Sequence, residues 1–424
     1  MPERKLIDEC VHCGFCLPAC PTYHNWGEEM DSPRGRIYLM KGLDERKLPL
    51  NEKVVAHFDA CLGCMGCVTA CPSGVQYDAL IEEQRVEVEA HYRRGLFDRL
   101  FRAMIFALFP YPARLRIAAL FQLLYVRSGL RRVVRALRLP SLLPPRLAQL
   151  EKLMPDVSAR ALTARLPEST PAMGERRARV ALLAGCVQRV YFPDVNAATI
   201  RVLSAEGCEV IVPRTQGCCG ALSLHAGREE ESRKLARALV ASFPADIDAV
   251  VVNAAGCGSH LKTLTRWLRN DARAEAFAAK VRDVTEFLAA LPARAPRHPV
   301  AVRAAYHDAC HLRHAQRIVE QPRQLLRGIP GLTLVEIADS DQCCGSAGVY
   351  NLVEPESARQ IGERKVANVL EAAPELLVSA NPGCTLQIQS ILRDRGLSLR
   401  AAHPIEVLDA SIRGSALTAL APAP

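Results

Sequence analysis

The sequence predicts a multi-domain α+β protein: an N-terminal α-helical domain built around two cysteine tetrads, a helical linker, and two repeated cysteine-rich α/β domains with parallel strands. Three observations predict it. Cys10, Cys13, Cys16 and Cys20 share their spacing with Cys61, Cys64, Cys67 and Cys71, and the stretch between the tetrads reads as helix. An arginine-rich helical pattern follows. Beyond residue 178, short apolar runs alternate with helical patterns twice over, at an offset of 124 residues for Cys186 and Cys310 and 127 for Cys257 and Cys384.

The tetrads carry the sharpest chemistry. Each reads C-x2-C-x2-C-x3-C-P, ending at Pro21 and Pro72. That is the spacing of two-cluster bacterial ferredoxins, in which the fourth cysteine of one run ligates the other cluster. Two [4Fe–4S] clusters are expected within residues 1–80. Cys10, Cys13, Cys16 and Cys71 would hold one, and Cys61, Cys64, Cys67 and Cys20 the other. Zinc is the alternative, but zinc sites favour isolated C-x2-C pairs. Between the tetrads, Ser32 and Pro33 suit the start of a helix. Arg34 and Arg36 either offset cluster charge or lie on a solvated face.

Residues 81–178 read as helices and then a linker. Tyr77 to Arg94 is polar and helical. Phe97, Leu100, Phe101, Met104, Ile105 and Leu108 form an apolar stripe at helical spacing, broken at Pro110 and Pro112. A second apolar run spans Ile117 to Val126. From Phe97 to Leu139 nine arginines (99, 102, 114, 116, 127, 131, 132, 135 and 138) face one acid, Asp98. Such helices either lie at an anionic membrane surface or pack on their own protein or a partner subunit. No run reaches the roughly twenty apolar residues that a bilayer span needs. Prolines 140, 144, 145, 155 and 167 mark the linker.

Residues 179–292 and 299–413 form the internal repeat. In each half a first strand leads to Cys186 or Cys310. A helix and a second strand follow, then Cys218-Cys219-Gly220 or Cys343-Cys344-Gly345. After a further helix, a third strand runs through Val250 to Cys257 or Leu376 to Cys384. Alternating strands and helices imply parallel sheets, with ligands gathered at the strands' carboxyl ends. Each half therefore collects four thiols: Cys186, Cys218, Cys219 and Cys257, then Cys310, Cys343, Cys344 and Cys384. Four thiolates suit a [4Fe–4S] cluster, so one or both halves are expected to hold a further cluster, with Gly220 and Gly345 letting the backbone approach it. A vicinal disulfide, a zinc site and inert buried thiols are the alternatives. Cys208, the seventeenth cysteine, reads as a small buried residue. His307, His311 and His314 around Cys310 either serve a cluster, as hydrogen-bond donors, proton carriers or ligands, or are structural. His225 has the same two readings.

Composition bounds the rest. Hydrophobic residues make up 49% and charged residues 23% of the 424 positions, as in a globular protein with a substantial core. The start shows no apolar signal region, and grouped cysteines without one point to a reducing, cytoplasmic location. The net charge of +9 is concentrated in the linker. No nucleic-acid partner is expected. No G-x-G-x-x-G or P-loop marks a nucleotide site, so a flavin is expected on another chain, with this one relaying electrons.

At this point the residues carry a resemblance. Cys10-Val11-His12-Cys13-Gly14-Phe15-Cys16, Cys20-Pro21-Thr22-Tyr23 and Ser32-Pro33-Arg34-Gly35-Arg36-Ile37-Tyr38 closely resemble the iron–sulfur subunit of bacterial glycolate oxidase (glycolate dehydrogenase). Asn253-Ala254-Ala255-Gly256-Cys257-Gly258 and Cys343-Cys344-Gly345-Ser346-Ala347-Gly348 do too. The resemblance spans nearly the whole chain. It implies an oxidoreductase complex in which FAD-binding subunits oxidise glycolate to glyoxylate. Electrons would pass through this chain to quinone or another respiratory acceptor, with peripheral contact at the cytoplasmic face of the inner membrane. The C-terminal halves resemble the cysteine-rich domains of heterodisulfide reductase and of lactate and glycerol-3-phosphate complexes, which gives the alternative functions. The heterodisulfide reductase pattern has a fifth cysteine per half. Here Gly258-Ser259-His260 and Thr385-Leu386-Gln387 follow Cys257 and Cys384, which favours electron transfer over disulfide cleavage.

Overall fold

The structure is a computed structural model that describes residues 1–137, 139–155, 157 and 159–415. Arg138 of the basic segment lies outside the described residues.

The N-terminal domain is helical. Ser32 Oγ accepts from the Gly35 amide at 3.0 Å and Asn51 Oδ1 from the Val54 amide at 3.0 Å. Those caps start the helices Pro33–Asp44 and Glu52–Asp59. Ile37, Met40, Val55, Phe58, Leu80 and Ile81 form the core between the two tetrad loops. Gly35 sits against the turn before it. A Cβ there would lie 1.9 Å from the Glu29 carbonyl oxygen, so the Arg34-Gly35-Arg36 step admits only glycine.

Nine strands form two sheets. The first has β1 (Ser169–Thr170), β2 (Ala178–Leu183), β3 (Cys208–Ile211), β4 (Ala249–Val252) and β5 (Val281–Asp283), in the order β1-β3-β2-β4-β5. The second has β6 (Val302–His307), β7 (Leu332–Val335), β8 (Leu376–Ser379) and β9 (Arg400–Ala402), in the order β7-β6-β8-β9. All pairs are parallel except β1–β3, which is antiparallel. The linker thus donates an edge strand to the first sheet. At two residues it is too short to show a period in sequence. The central strands β2, β4, β6 and β8 are mostly apolar and buried because helices cover both faces, apart from Arg179 and Arg303 near the starts of β2 and β6 and His307 at the end of β6.

The registers make the repeat a structural one. Leu183 pairs with Val252 as His307 pairs with Ser379. The helix Pro193–Ala205 of the first half packs on Pro404–Arg413 of the second. The helix Val284–Ala289 packs on Glu320–Arg327. These pairs exchange under the repeat, so the halves face each other about a pseudo-two-fold axis and share one core.

One expectation about these halves needs correction. The third strands end at Val252 and Ser379, and Cys257 and Cys384 sit in the first turns of the helices Ala255–Lys262 and Pro382–Asp394. Gly220 and Gly345 have a structural reason of their own. Both have positive φ, +93° and +85°. A Cβ would strike the Ser232 or Ala358 carbonyl oxygen, at 2.8 and 2.3 Å. The glycines let the Cys-Cys turn seat on the next helix.

The linker helices lie across both halves. Leu96–Leu108 buries Phe101 and Ile105 against Leu352 and Val353 of the second half. Pro112–Arg127 buries Leu115 and Ala119 in the first-half core. The apolar stripe is therefore split: Phe97, Leu100 and Met104 stay exposed, with Ile117, Phe121 and Leu124 on the next helix. Arg102 is buried instead, its Nε donating to Asp98 at 3.0 Å. No single described helix is long and apolar enough to cross a membrane. The pair Leu96–Leu108 and Pro112–Arg127 reaches that length together but is bent by 103°.

Candidate metal centres

The two tetrad loops wrap in the same way. His12 and Gly14 flank Cys13 with φ of +55° and +91°, and Gly63 and Met65 flank Cys64 with +61° and +64°. Left-handed residues at the same two positions coil each loop tightly and turn its thiols to one side. The fourth cysteines cross over. Burial pushes the Cys10 thiol up, and the neighbouring Cys71 and Cys13 add to it. Burial likewise raises Cys67, with Cys64, Cys61 and Cys20 beside it. Cys71 thus lies with the first loop and Cys20 with the second.

Positive charge is built in beside them. Arg36 is 1% exposed. Its Nε donates to the His57 carbonyl at 2.6 Å, and Nη1 to the Asp31 carbonyl at 2.5 Å and Thr22 Oγ1 at 3.2 Å. Nη2 donates to Asp31 Oδ1 at 3.1 Å. Burial disfavours the Cys61 thiolate, but Arg36 and Arg85 outweigh it and hold that thiol below its ordinary range. The Gly63 amide donates to Cys61 Sγ at 3.4 Å. Arg34 holds Glu29 at 2.7 Å and lies near Cys16. A buried cation and amides aimed at thiol sulfur fit an anionic thiolate-ligated cluster, so these residues suit the iron–sulfur groups that their spacing implies.

The second centre sits against the cysteine-rich part. Burial and then Cys310 raise the Cys64 thiol. Leu62, Cys310, Cys343 and Tyr350 pack in one cluster with Cys64 at its edge. Two histidines tie the contact. His311 Nε2 pairs with the Gly63 carbonyl at 3.1 Å, and His314 Nδ1 with Thr69 Oγ1 at 2.5 Å. The second half is therefore the one joined to the tetrad loops. The first half meets the N-terminal domain elsewhere. Glu82 Oε1 pairs with His225 Nδ1 at 3.0 Å, and the His225 ring stacks on His311 at 5.2 Å. Cys61, Arg85, Arg94, Arg102, His225 and His311 line a cavity of about 50 Å³ at this junction, enough for a few waters.

Within each half the four thiols come together. Cys186 Sγ lies 3.5 Å from Cys218 Sγ. Cys219 adjoins Cys218 and Cys257. In the second half Cys310, Cys343, Cys344 and Cys384 form the same run. Asn381 Nδ2 donates to Cys384 Sγ at 3.3 Å, and its Oδ1 accepts from the Gly256 amide at 3.5 Å, so one side chain links the two sets. All seventeen cysteines are free. The vicinal pairs Cys218–Cys219 and Cys343–Cys344 carry no disulfide. Cys208 is fully buried at the start of β3, apart from both sets. Lys365 is buried beside Cys344 and Cys343, its Nζ donating to the Asp339 carbonyl at 2.6 Å. Sequence reasoning missed this lysine, because a lone Lys in an amphipathic helix carries no signal of burial.

Thiol sets of this number on this fold define a multi-cluster iron–sulfur electron-transfer protein. Comparisons with known proteins agree. Residues 6–75 match the model of a 4Fe-4S dicluster domain, residues 180–262 and 304–389 that of a cysteine-rich domain, and residues 97–154 that of the linker region of the glycolate oxidase iron-sulfur subunit. The chain is 39% identical over 421 residues to a probable glycolate oxidase iron-sulfur subunit of Bacillus subtilis, covering 96% of this chain and 94% of that one. It is 36% identical over 420 residues to the glycolate oxidase iron-sulfur subunit of Escherichia coli, covering 96% and 95%. A crystal structure of a hypothetical protein from Helicobacter pylori shares the fold, with a TM-score of 0.53 and 8% identity over 92% of this chain and 69% of that one. The chain belongs to the glycolate oxidase iron–sulfur subunit family. It is the iron–sulfur electron-transfer subunit of an oxidoreductase complex and carries two or more clusters.

Proposed function

We propose that this chain relays electrons from FAD-binding subunits that oxidise glycolate to glyoxylate towards quinone or another respiratory acceptor. Cys10, Cys13, Cys16 and Cys71 would hold one [4Fe–4S] cluster and Cys61, Cys64, Cys67 and Cys20 the next. Cys310, Cys343, Cys344 and Cys384 would hold a third centre, and Cys186, Cys218, Cys219 and Cys257 a fourth. The units carrying them are residues 1–80, the helical region 81–178, and the halves 179–292 and 299–413. Such clusters take up and return single electrons, which suits a chain placed between a two-electron flavin and a respiratory acceptor.

The observation that carries the reading is the packing of Cys64 on Cys310 and Cys343. It brings the second N-terminal thiol set against the thiols of the second half. Arg36 balances charge at the second set, and His311 and His314 fix the junction.

The linker supports contact with an anionic membrane surface. Leu100, Phe121 and Leu124 are exposed beside Arg99, Arg127 and Arg132, an apolar and basic face of the kind that seats in a headgroup layer. The test of the relay is to mix the anaerobic chain with its flavoprotein partner and glycolate. Reduction of the clusters, read by bleaching of the iron–sulfur absorbance, is expected. Persistence of the oxidised spectrum while flavin is reduced would refute it.

A further inference from the structure

The two halves repeat each other, yet a buried position beside the thiols differs in chemistry. Leu183 ends β2 and His307 ends β6, and each precedes the first cysteine of its half by three residues. Matching registers establish the equivalence. His307 is 1% exposed. Neither of its ring nitrogens has a hydrogen-bond partner among the described residues. A ring nitrogen of His307, Cys344 Sγ and Cys384 Sγ all lie within 4.8 Å of one another. Among the described residues this is the one set of three histidine, cysteine or carboxylate donors so close together.

We propose that His307 is a direct ligand of the metal centre in the second half, beside Cys344 and Cys384 and in place of one of the four thiolates assigned to it above, so that this centre is held by thiolates and an imidazole while the first half's is held by thiolates alone. This rests on the reading that both halves hold iron–sulfur centres. The ring is too deeply buried for water to satisfy its nitrogens, and polar atoms in that position find partners. The free partner here is a metal held by the adjoining sulfurs. Imidazole is an accepted iron ligand, and in clusters where it replaces thiolate the potential rises. The position also lies on the side of the second half that carries Cys310, which meets the N-terminal thiol set. The mixed-ligand centre thus receives electrons from that set before the all-thiolate one does.

The test uses the full chain, purified anaerobically and partly reduced, with its histidines labelled with nitrogen-15. Pulsed spin-resonance spectra should show a strongly coupled nitrogen on one centre, its frequency changing with the label. The coupling should vanish in His307→Leu, which copies the first half, while iron content and the other signals persist. His307→Gln serves if the leucine variant does not fold, and the labelled wild-type spectrum stands without either. Iron at about sixteen per chain with no histidine coupling on any centre would overturn the ligand assignment alone, at four irons per cluster. Iron at about eight per chain, with signals from the N-terminal pair only, would overturn the assignment and the four-centre reading together.

Discussion

The two cysteine-rich halves have the same strands, the same Cys-Cys-Gly turn and facing helices, yet they stand differently towards the rest of the molecule. The second half abuts the tetrad loops through Cys310, His311 and His314, and has His307 and Lys365 buried beside its thiols. The first half has Leu183 in place of His307, and the equivalent turn of its helix Glu229–Ser242 carries Leu239 and Val240. It meets the N-terminal domain through Glu82 and His225. A duplicated scaffold thus sets its two thiol sets in different surroundings, the second at the junction with His307 and Lys365 beside it, the first behind it with His260 against the Cys219 backbone. Polarity and nearby cations set iron–sulfur potentials, so the halves are expected to be electrochemically distinct and to fill in order.

Removing a ligand from either half breaks this comparison most strongly. Cys344→Ser should leave both C-terminal centres oxidised when the flavoprotein partner and glycolate are supplied. Cys219→Ser should silence the first-half centre alone. Rapid-freeze spin resonance reads both, and equal behaviour of the two variants would remove the ordering.

Loss of Arg36 should cost stability next. A buried cation with four hydrogen bonds takes its donors from the His57 carbonyl and from Asp31 when it goes, although Asp31 keeps His57 on its carboxylate and Thr22 on its carbonyl, a change of about 3–5 kcal/mol. Arg201, half-exposed and paired with Asp409 at 2.7 Å across the two halves, should cost about 1 kcal/mol or less. Anaerobic denaturant titration of Arg36→Met and Arg201→Met measures the gap.

The helix starts that close each half differ in their response to pH. Asp283 caps Val284–Ala289, and burial pushes its carboxyl up to about 6. The folded state then favours the protonated form, so this contribution is present at low pH and is lost as pH rises from about 4 to 6. His403 caps Pro404–Arg413, and burial pushes its imidazole down to about 3. Its contribution is present above pH 6.5 and is lost as pH falls towards 3. Hydrogen exchange should show the two helices loosening in opposite pH directions, and Asp283→Asn and His403→Asn should each flatten one response.

The smallest effect on stability is expected at the linker face. Leu100→Ser with Phe121→Ser should change stability within about 0.5 kcal/mol, since neither side chain is buried. The pair should nonetheless reduce sedimentation with anionic vesicles, and unchanged sedimentation would move the contact to another partner.

Much of this was legible in the sequence for a physical reason. Cluster ligation and parallel sheets impose fixed spacings, so the tetrads and the repeat showed themselves directly. Features set by tertiary neighbours did not. The stripe from Phe97 to Leu108 has one period but two fates, because Phe101 and Ile105 are buried against Leu352 and Val353 while Phe97 and Leu100 stay exposed, Phe97 covering only the outer side of Phe101. Arg36 and Arg34 look alike in sequence, and only burial separates the cation beside Cys61 from the one at the surface. Gly220 and Gly345 stand where a Cβ would strike the next helix, a contact that the sequence does not show. His307 stood among three histidines with several roles open, and its equivalence to Leu183 emerged from strand register.

The measurement closest to the centre of the account is the iron and acid-labile sulfide content of the anaerobic full chain. More than eight irons per chain, with matching sulfide, is expected, because the C-terminal thiols add at least one centre to the N-terminal pair at four irons each. Zinc in place of iron, or eight irons with the C-terminal cysteines freely alkylated once unfolded, would contradict it.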